Sequence, residues 1–148
     1  MSRRDQERLQ DILAAADAIA SHLERGEITD GLIFDAVRVR IIEIGEAVGA
    51  LDPELLAQEP EIPWTDIKAM RNHLAHRYFD TAHSIVADTV DSDLPPLIEA
   101  IRRLEQVLAS REQEVARRRE ALEEMTRQAE DLGLYEESPT PPPGTTPE

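Results

Sequence analysis

The side chains best equipped for chemistry stand together in Met70-Arg71-Asn72-His73-Leu74-Ala75-His76-Arg77-Tyr78-Phe79-Asp80, where two Arg, two His and one Tyr fall within eight positions. One chemistry this set fits is metal-free scission of RNA, in which a 2′-hydroxyl attacks its own phosphate. Such a step needs a base that works near neutral pH. It also needs a cation for the crowded oxyanions of the transition state. Imidazole supplies the base, with an ordinary pKa of about 6.5. Guanidinium supplies a permanent planar charge whose donors match phosphate oxygens, and stabilising developing charge in this way is worth roughly 3 kcal/mol.

Geometry limits how the pair can act. Five residues of ideal helix put Arg71 and His76 about 140° apart around the axis. They meet on one phosphate only if the helix unwinds before His76 or the long Arg side chain bends round. Arg71 and Tyr78 lie two turns apart and near one face. The reaction also needs an acid for the leaving 5′-oxygen, and His76 alone would have to serve as both base and acid. A two-fold homodimer would solve this by bringing two copies of Arg71 and His76 to one cleft.

Other readings of the segment stay open. His73 and His76, three apart, could join His83 as metal ligands, although zinc sites normally require three or four placed groups. In a purely structural role, Arg71 would pair with Glu43 or Glu46, His76 would be a helix C-terminal cation, and Tyr78 and Phe79 would be core.

The elements that must hold this segment read as helices throughout. A first helix is predicted from about Ser2 to Glu24, with Ser2 and Asp5 as a capping box and Gly26 as its stop. Its apolar stripe is Leu9, Ile12, Leu13, Ala16, Ile19, Ala20 and Leu23, spaced by threes and fours. A second helix starts near Thr29 or Asp30, carries Ile33, Val37, Ile41, Ile44 and Val48 on one face, and ends around Gly49. Asp52-Pro53 opens a short turn through Leu56, and Pro60 and Pro63 bracket an extended link. Thr65 or Asp66 would cap the helix that holds Ile67, Met70 and Leu74. A break near Tyr78-Phe79 precedes a helix capped by Asp80 or Thr81, containing Ile85, Val86, Thr89 and Val90. Asp93 with Pro95 begins the last, through Leu97, Ile101, Leu104 and Leu108. Five helices with short connections make an all-α antiparallel bundle, placed at residues 1–110.

Past Ser110 the pattern thins. Leu108, Arg111, Val115, Arg118, Leu122, Met125, Ala129 and Leu132 occupy alternating heptad positions, but two of these eight are Arg. Residues 111–137 therefore read as a charged helical extension with a weak seam. Five prolines in 138–148 imply a disordered tail.

Composition agrees with this picture. Of 148 residues 41% are hydrophobic but only 3% aromatic, a balance that favours aliphatic helix packing over sheet. The absence of cysteine excludes disulfides, thiolate metal sites and cysteine nucleophiles. The polar N-terminus and the lack of any apolar run of about 20 residues point to a cytoplasmic protein without membrane spans. A net charge of −15 opposes non-specific attraction to nucleic acid. Between positions 41 and 101, however, the only bases are Lys68, Arg71 and Arg77, against twelve acidic residues. That cationic island could hold one anionic group, or could simply pair with Asp66 and Asp80.

The segment resembles the Arg-polar-x3-His pattern of HEPN ribonucleases, and the longer Arg-x4-His-x-Tyr form of HepT-like toxins. Arg71, Asn72, His76 and Tyr78 are the matching residues, with His73 as a supporting neighbour. Ile42-Glu43-Ile44-Gly45-Glu46-Ala47, Pro60-Glu61-Ile62-Pro63-Trp64 and Asp93-Leu94-Pro95-Pro96-Leu97 resemble the family's flanking phrases, so the likeness covers roughly residues 5–108. It implies a dimeric bundle with the motif in the intersubunit cleft. It implies metal-independent endonucleolytic RNA cleavage without a cofactor, His76 being the acid–base residue and Arg71 the phosphate contact. It also implies a cognate antitoxin of the minimal nucleotidyltransferase type, with Tyr78 matching the residue that accepts AMP in some members. The chain is not itself that transferase, since Asp91-Ser92-Asp93 has no Gly-Ser loop upstream. The extension and the acidity depart from the family. They leave a second expectation standing: a non-catalytic helical module that docks a nucleotidyltransferase.

Overall fold

The computed structural model describes residues 3–76 and 79–134, with side chains at 4–76 and 83–134. Tyr78 and the proline-rich tail therefore lie outside the described residues. All regular structure among the described residues is helical: α1 (Arg3–Arg25), α2 (Gly31–Gly49), α3 (Pro53–Leu56), α4 (Trp64–His76), α5 (Phe79–Asp88) and α6 (Leu94–Asp131). By internal contacts the chain divides into Met1–Ala109 and Ser110–Glu148.

In the first unit α2 is the organising helix, packing against α1, α4 and α5. Asp30 caps it, its carboxylate accepting the Leu32 N–H at 2.8 Å, which satisfies one orphan donor of the first turn. Ile33, Val37, Ile41, Ile44 and Val48 are buried along it as their spacing predicts, joined by Phe34 and Ala47. Leu9, Ile12, Ala16 and Ile19 of α1 close one side of this core, and Leu97, Ile101, Leu104 and Leu108 of α6 also belong to it. Asp52 caps α3 through the Glu54 N–H at 2.9 Å.

Four local expectations change. Asp5 is only 7% exposed and accepts the Asp52 N–H at 3.4 Å, so its carboxylate makes a tertiary contact that the capping-box expectation did not include. Ser2 lies outside the described residues. Helix α4 starts at Trp64, ahead of Thr65 and Asp66, because the Pro63 carbonyl already accepts from the Ile67 N–H at 3.1 Å. Asp66 then sits in the first turn, where a carboxylate suits the helix dipole. Similarly, α5 begins at Phe79, before its expected caps.

The fourth change is the largest. No cap at Asp93 separates α5 from α6; a π-helical turn, Thr89–Asp93, joins them, with the Leu94 N–H bonded to the Thr89 carbonyl. Prolines 95 and 96 explain the widening. Each lacks an N–H, and in a regular helix each ring would press on the carbonyl four residues back. One wider turn relieves both without ending the helix.

Candidate active site

Helix α4 carries the chemical segment, and α2 sets where α4 lies. Ile67 and Leu74 are its buried anchors, seven apart and so on one face. Lys68, Asn72, His73 and His76 are exposed away from that face, and Arg71, one turn after Ile67, is exposed at its edge. The helix stays regular through His76, so it does not unwind to bring His76 round to Arg71. Within one chain, convergence is left to the reach of the Arg side chain.

The close approach of α2 and α4 depends on Gly45. A Cβ there would stand 3.2 Å from the Ile67 carbonyl oxygen and 3.3 Å from Arg71 Cβ. A methyl group would push the two helices apart at the residue expected to contact phosphate. The next residue on α2 holds that side chain, with Glu46 Oε1 3.3 Å from Arg71 Nε. Both partners are about half exposed, at 52% for Arg71 and 53% for Glu46. An ion pair this wet is worth about 0–1 kcal/mol, so an incoming phosphate with its own charge and geometry can displace it. Of the two carboxylates expected to pair with Arg71, Glu46 does so; Glu43 bonds Arg40 at 3.0 Å.

A second tether holds the far end of α4. Arg38 Nη1 donates to the Leu74 carbonyl at 3.0 Å. Nothing in the spacing of α2 marked this residue as functional. The available signal was a charge beside the apolar stripe, between Val37 and Ile41.

The grouping of three histidines does not form. His83 lies against α2, its ring stacked on Phe34 with centroids 5.4 Å apart and its Nε2 3.1 Å from the Ile28 carbonyl oxygen. Among the described residues, no three His, Asp or Glu side chains are grouped to hold a metal ion. His73, His76 and Asn72 stay on the outer face of α4. The acceptor position Tyr78 lies outside the described residues.

Residues 9–104 match the family model described as ribonuclease HepT-like. A protein of Thermococcus cleftensis named as a probable ribonuclease HepT is 30% identical over 101 residues, covering 66% of this chain and 92% of that protein. A candidate RNase of Caldanaerobacter subterraneus is 35% identical over 67 residues, 45% of this chain and 60% of its own length. Another, from Methanocaldococcus jannaschii, is 28% identical over 100 residues, 65% and 83% of the two chains. No solved structure matches.

Proposed function

Because the chain belongs to the HepT-like ribonuclease family, we propose that it cuts RNA internally without a metal ion, using Arg71 and His76. His76 takes the proton of a 2′-hydroxyl as the 2′-oxygen bonds to phosphorus. Arg71 steadies the charge on the phosphate oxygens. The bond from phosphorus to the 5′-oxygen breaks, and that oxygen receives a proton from an imidazolium. The products are a 2′,3′-cyclic phosphate and a 5′-hydroxyl. A second copy of the chain supplies the imidazole that the first lacks, so the working form is a homodimer.

The observation that supports this reading is the placement of Arg71. The guanidinium is half exposed and held through Nε by one solvated carboxylate. A hold this weak lets the guanidinium exchange its carboxylate for a phosphate. On the same reading the protein is a cytoplasmic toxin, neutralised by a minimal nucleotidyltransferase that transfers AMP to Tyr78. An added nucleotide would fill the phosphate site with negative charge.

Purified protein incubated with total RNA in EDTA, beside His76→Ala, tests the nuclease reading. Cleavage by the parent and loss in the variant are expected. Equal activity in both removes His76 from the mechanism, and loss on chelation makes the reaction metal-dependent. Inactivity of both, with tight binding of a nucleotidyltransferase, would support the docking module instead. Intact mass after incubation with the transferase and ATP tests the modification: a gain that survives Tyr78→Phe places it elsewhere.

A further inference from the structure

We infer that Arg38 is a positioning residue for this nuclease, acting on His76 through the last turn of α4. The inference rests on the proposed roles of Arg71 and His76 and adds a residue that their motif does not contain.

Carbonyls in the last turn of a helix look outside it for donors, and Leu74 stands in the last described turn of α4. Arg38 comes from 36 positions away to bond that carbonyl at 3.0 Å. A cation is also the charge that a helix C-terminus favours. His76 needs such help, because its ring is exposed and has no bonding partner among the described residues. Its position depends on the backbone of the turn that carries it.

The arrangement is poorly suited to stability alone. Arg38 Nε is buried without a hydrogen-bond partner, a loss an unbranched apolar side chain would not incur. Such a side chain could fill the same space beside Val37 and Ile41. What it could not do is hold the Leu74 carbonyl. Arg38 and Gly45 are seven apart on α2 and so share a face two turns apart. The close approach at Gly45 sets α4 at Arg71, and Arg38 ties it at the turn bearing His76. The spacing between the two reacting groups is thereby referred to a single rigid helix.

The test uses the full chain as Arg38→Met and Arg38→Lys, with thermal melting, RNA-cleavage kinetics and the imidazole ¹⁵N–¹H resonances of His76 assigned by difference from His76→Gln. Arg38→Met is expected to stay folded and to lose about tenfold to a hundredfold in kcat. Its KM should change less than about threefold, because Arg71 still meets phosphate, and the His76 resonances should move. Arg38→Lys, which keeps a cation able to reach the carbonyl, is expected to recover part of the rate. Should Arg38→Met unfold, Arg38→Lys decides: resonances between those of the parent and the unfolded chain, with reduced kcat, support the role. His76 resonances identical to the parent's in both variants overturn it, whatever the activity. A parent chain that does not cut RNA defeats the nuclease reading on a different readout.

Discussion

Helix α6 sets two ways of being a helix side by side. In its first part Leu97, Ala100, Ile101, Leu104 and Leu108 are buried, and the family match ends within that part, at residue 104. From Ser110 onward the same spacing of apolar residues leaves Val115, Leu122 and Met125 about two-thirds exposed. Side-chain contacts there include local ion pairs: Arg118 with Glu114, Arg119 with Glu123, and Arg127 with Glu124. Apolar periodicity is thus necessary for a core and not sufficient, because a stripe stabilises only where another surface covers it. The proposed chemistry follows the same division. Arg71, His76 and the α2 residues that position α4 all belong to Met1–Ala109.

The sharpest way to break this comparison is kinetic. His76→Ala should lower RNA cleavage by about a hundredfold to ten-thousandfold, while Leu122→Ala should leave the rate within about twofold. An equal loss in both would place the extension in the active site. Next in size is stability, read by urea unfolding. Ile101→Ala removes a fully buried side chain and should cost about 2–5 kcal/mol. Gly45→Ala should cost about 1 kcal/mol net, as crowding against a backbone carbonyl outweighs the gain in helix propensity. It should also slow cleavage by displacing Arg71; a stabilised and fully active variant would show that α4 can yield.

The pH dependence of the first unit gives a smaller effect of known sign. Hydrogen bonding to Arg103 holds the Glu59 carboxyl below its ordinary value, against a lesser opposing effect of burial. Both nitrogen–oxygen contacts are short, 2.6 and 3.0 Å. A depressed carboxyl contributes stability above its unfolded pKa and loses it as pH falls through the folded one. Glu59→Gln should therefore unfold more easily than the parent near neutrality and converge with it in acid. Parallel melting curves across that range would remove the pair from the account. Least of all, Leu122→Ala should change stability by no more than about 0.5 kcal/mol. A larger loss would mean the stripe is covered in solution.

How much of this was legible follows from the type of interaction. The helices of the core were readable because aliphatic residues at threes and fours declare a face, and Asp30 and Asp52 declare starts. Arg71 and His76 stood out as candidates because few residue types can do the work proposed for them. The π-helical turn was not, since Pro95 and Pro96 signal equally a first turn and a strain relieved by widening. Asp5 and Arg38 were not readable either. Each bonds a backbone group more than 30 positions away, and no local pattern encodes such a partner. Glu46 was one of two carboxylates expected to pair with Arg71, and packing chose between them; Gly45 was visible only as part of a family phrase, and the reason for it, close helix approach, came from packing.

The central claim is that Arg71 and His76 direct a ribose hydroxyl against its neighbouring phosphate. Its most direct test is an RNA oligonucleotide of known cut position, compared with one whose ribose at that position is 2′-deoxy. The first should yield a 2′,3′-cyclic phosphate end, and the second should stay intact. Cleavage of the deoxy-substituted strand at the same bond would contradict it.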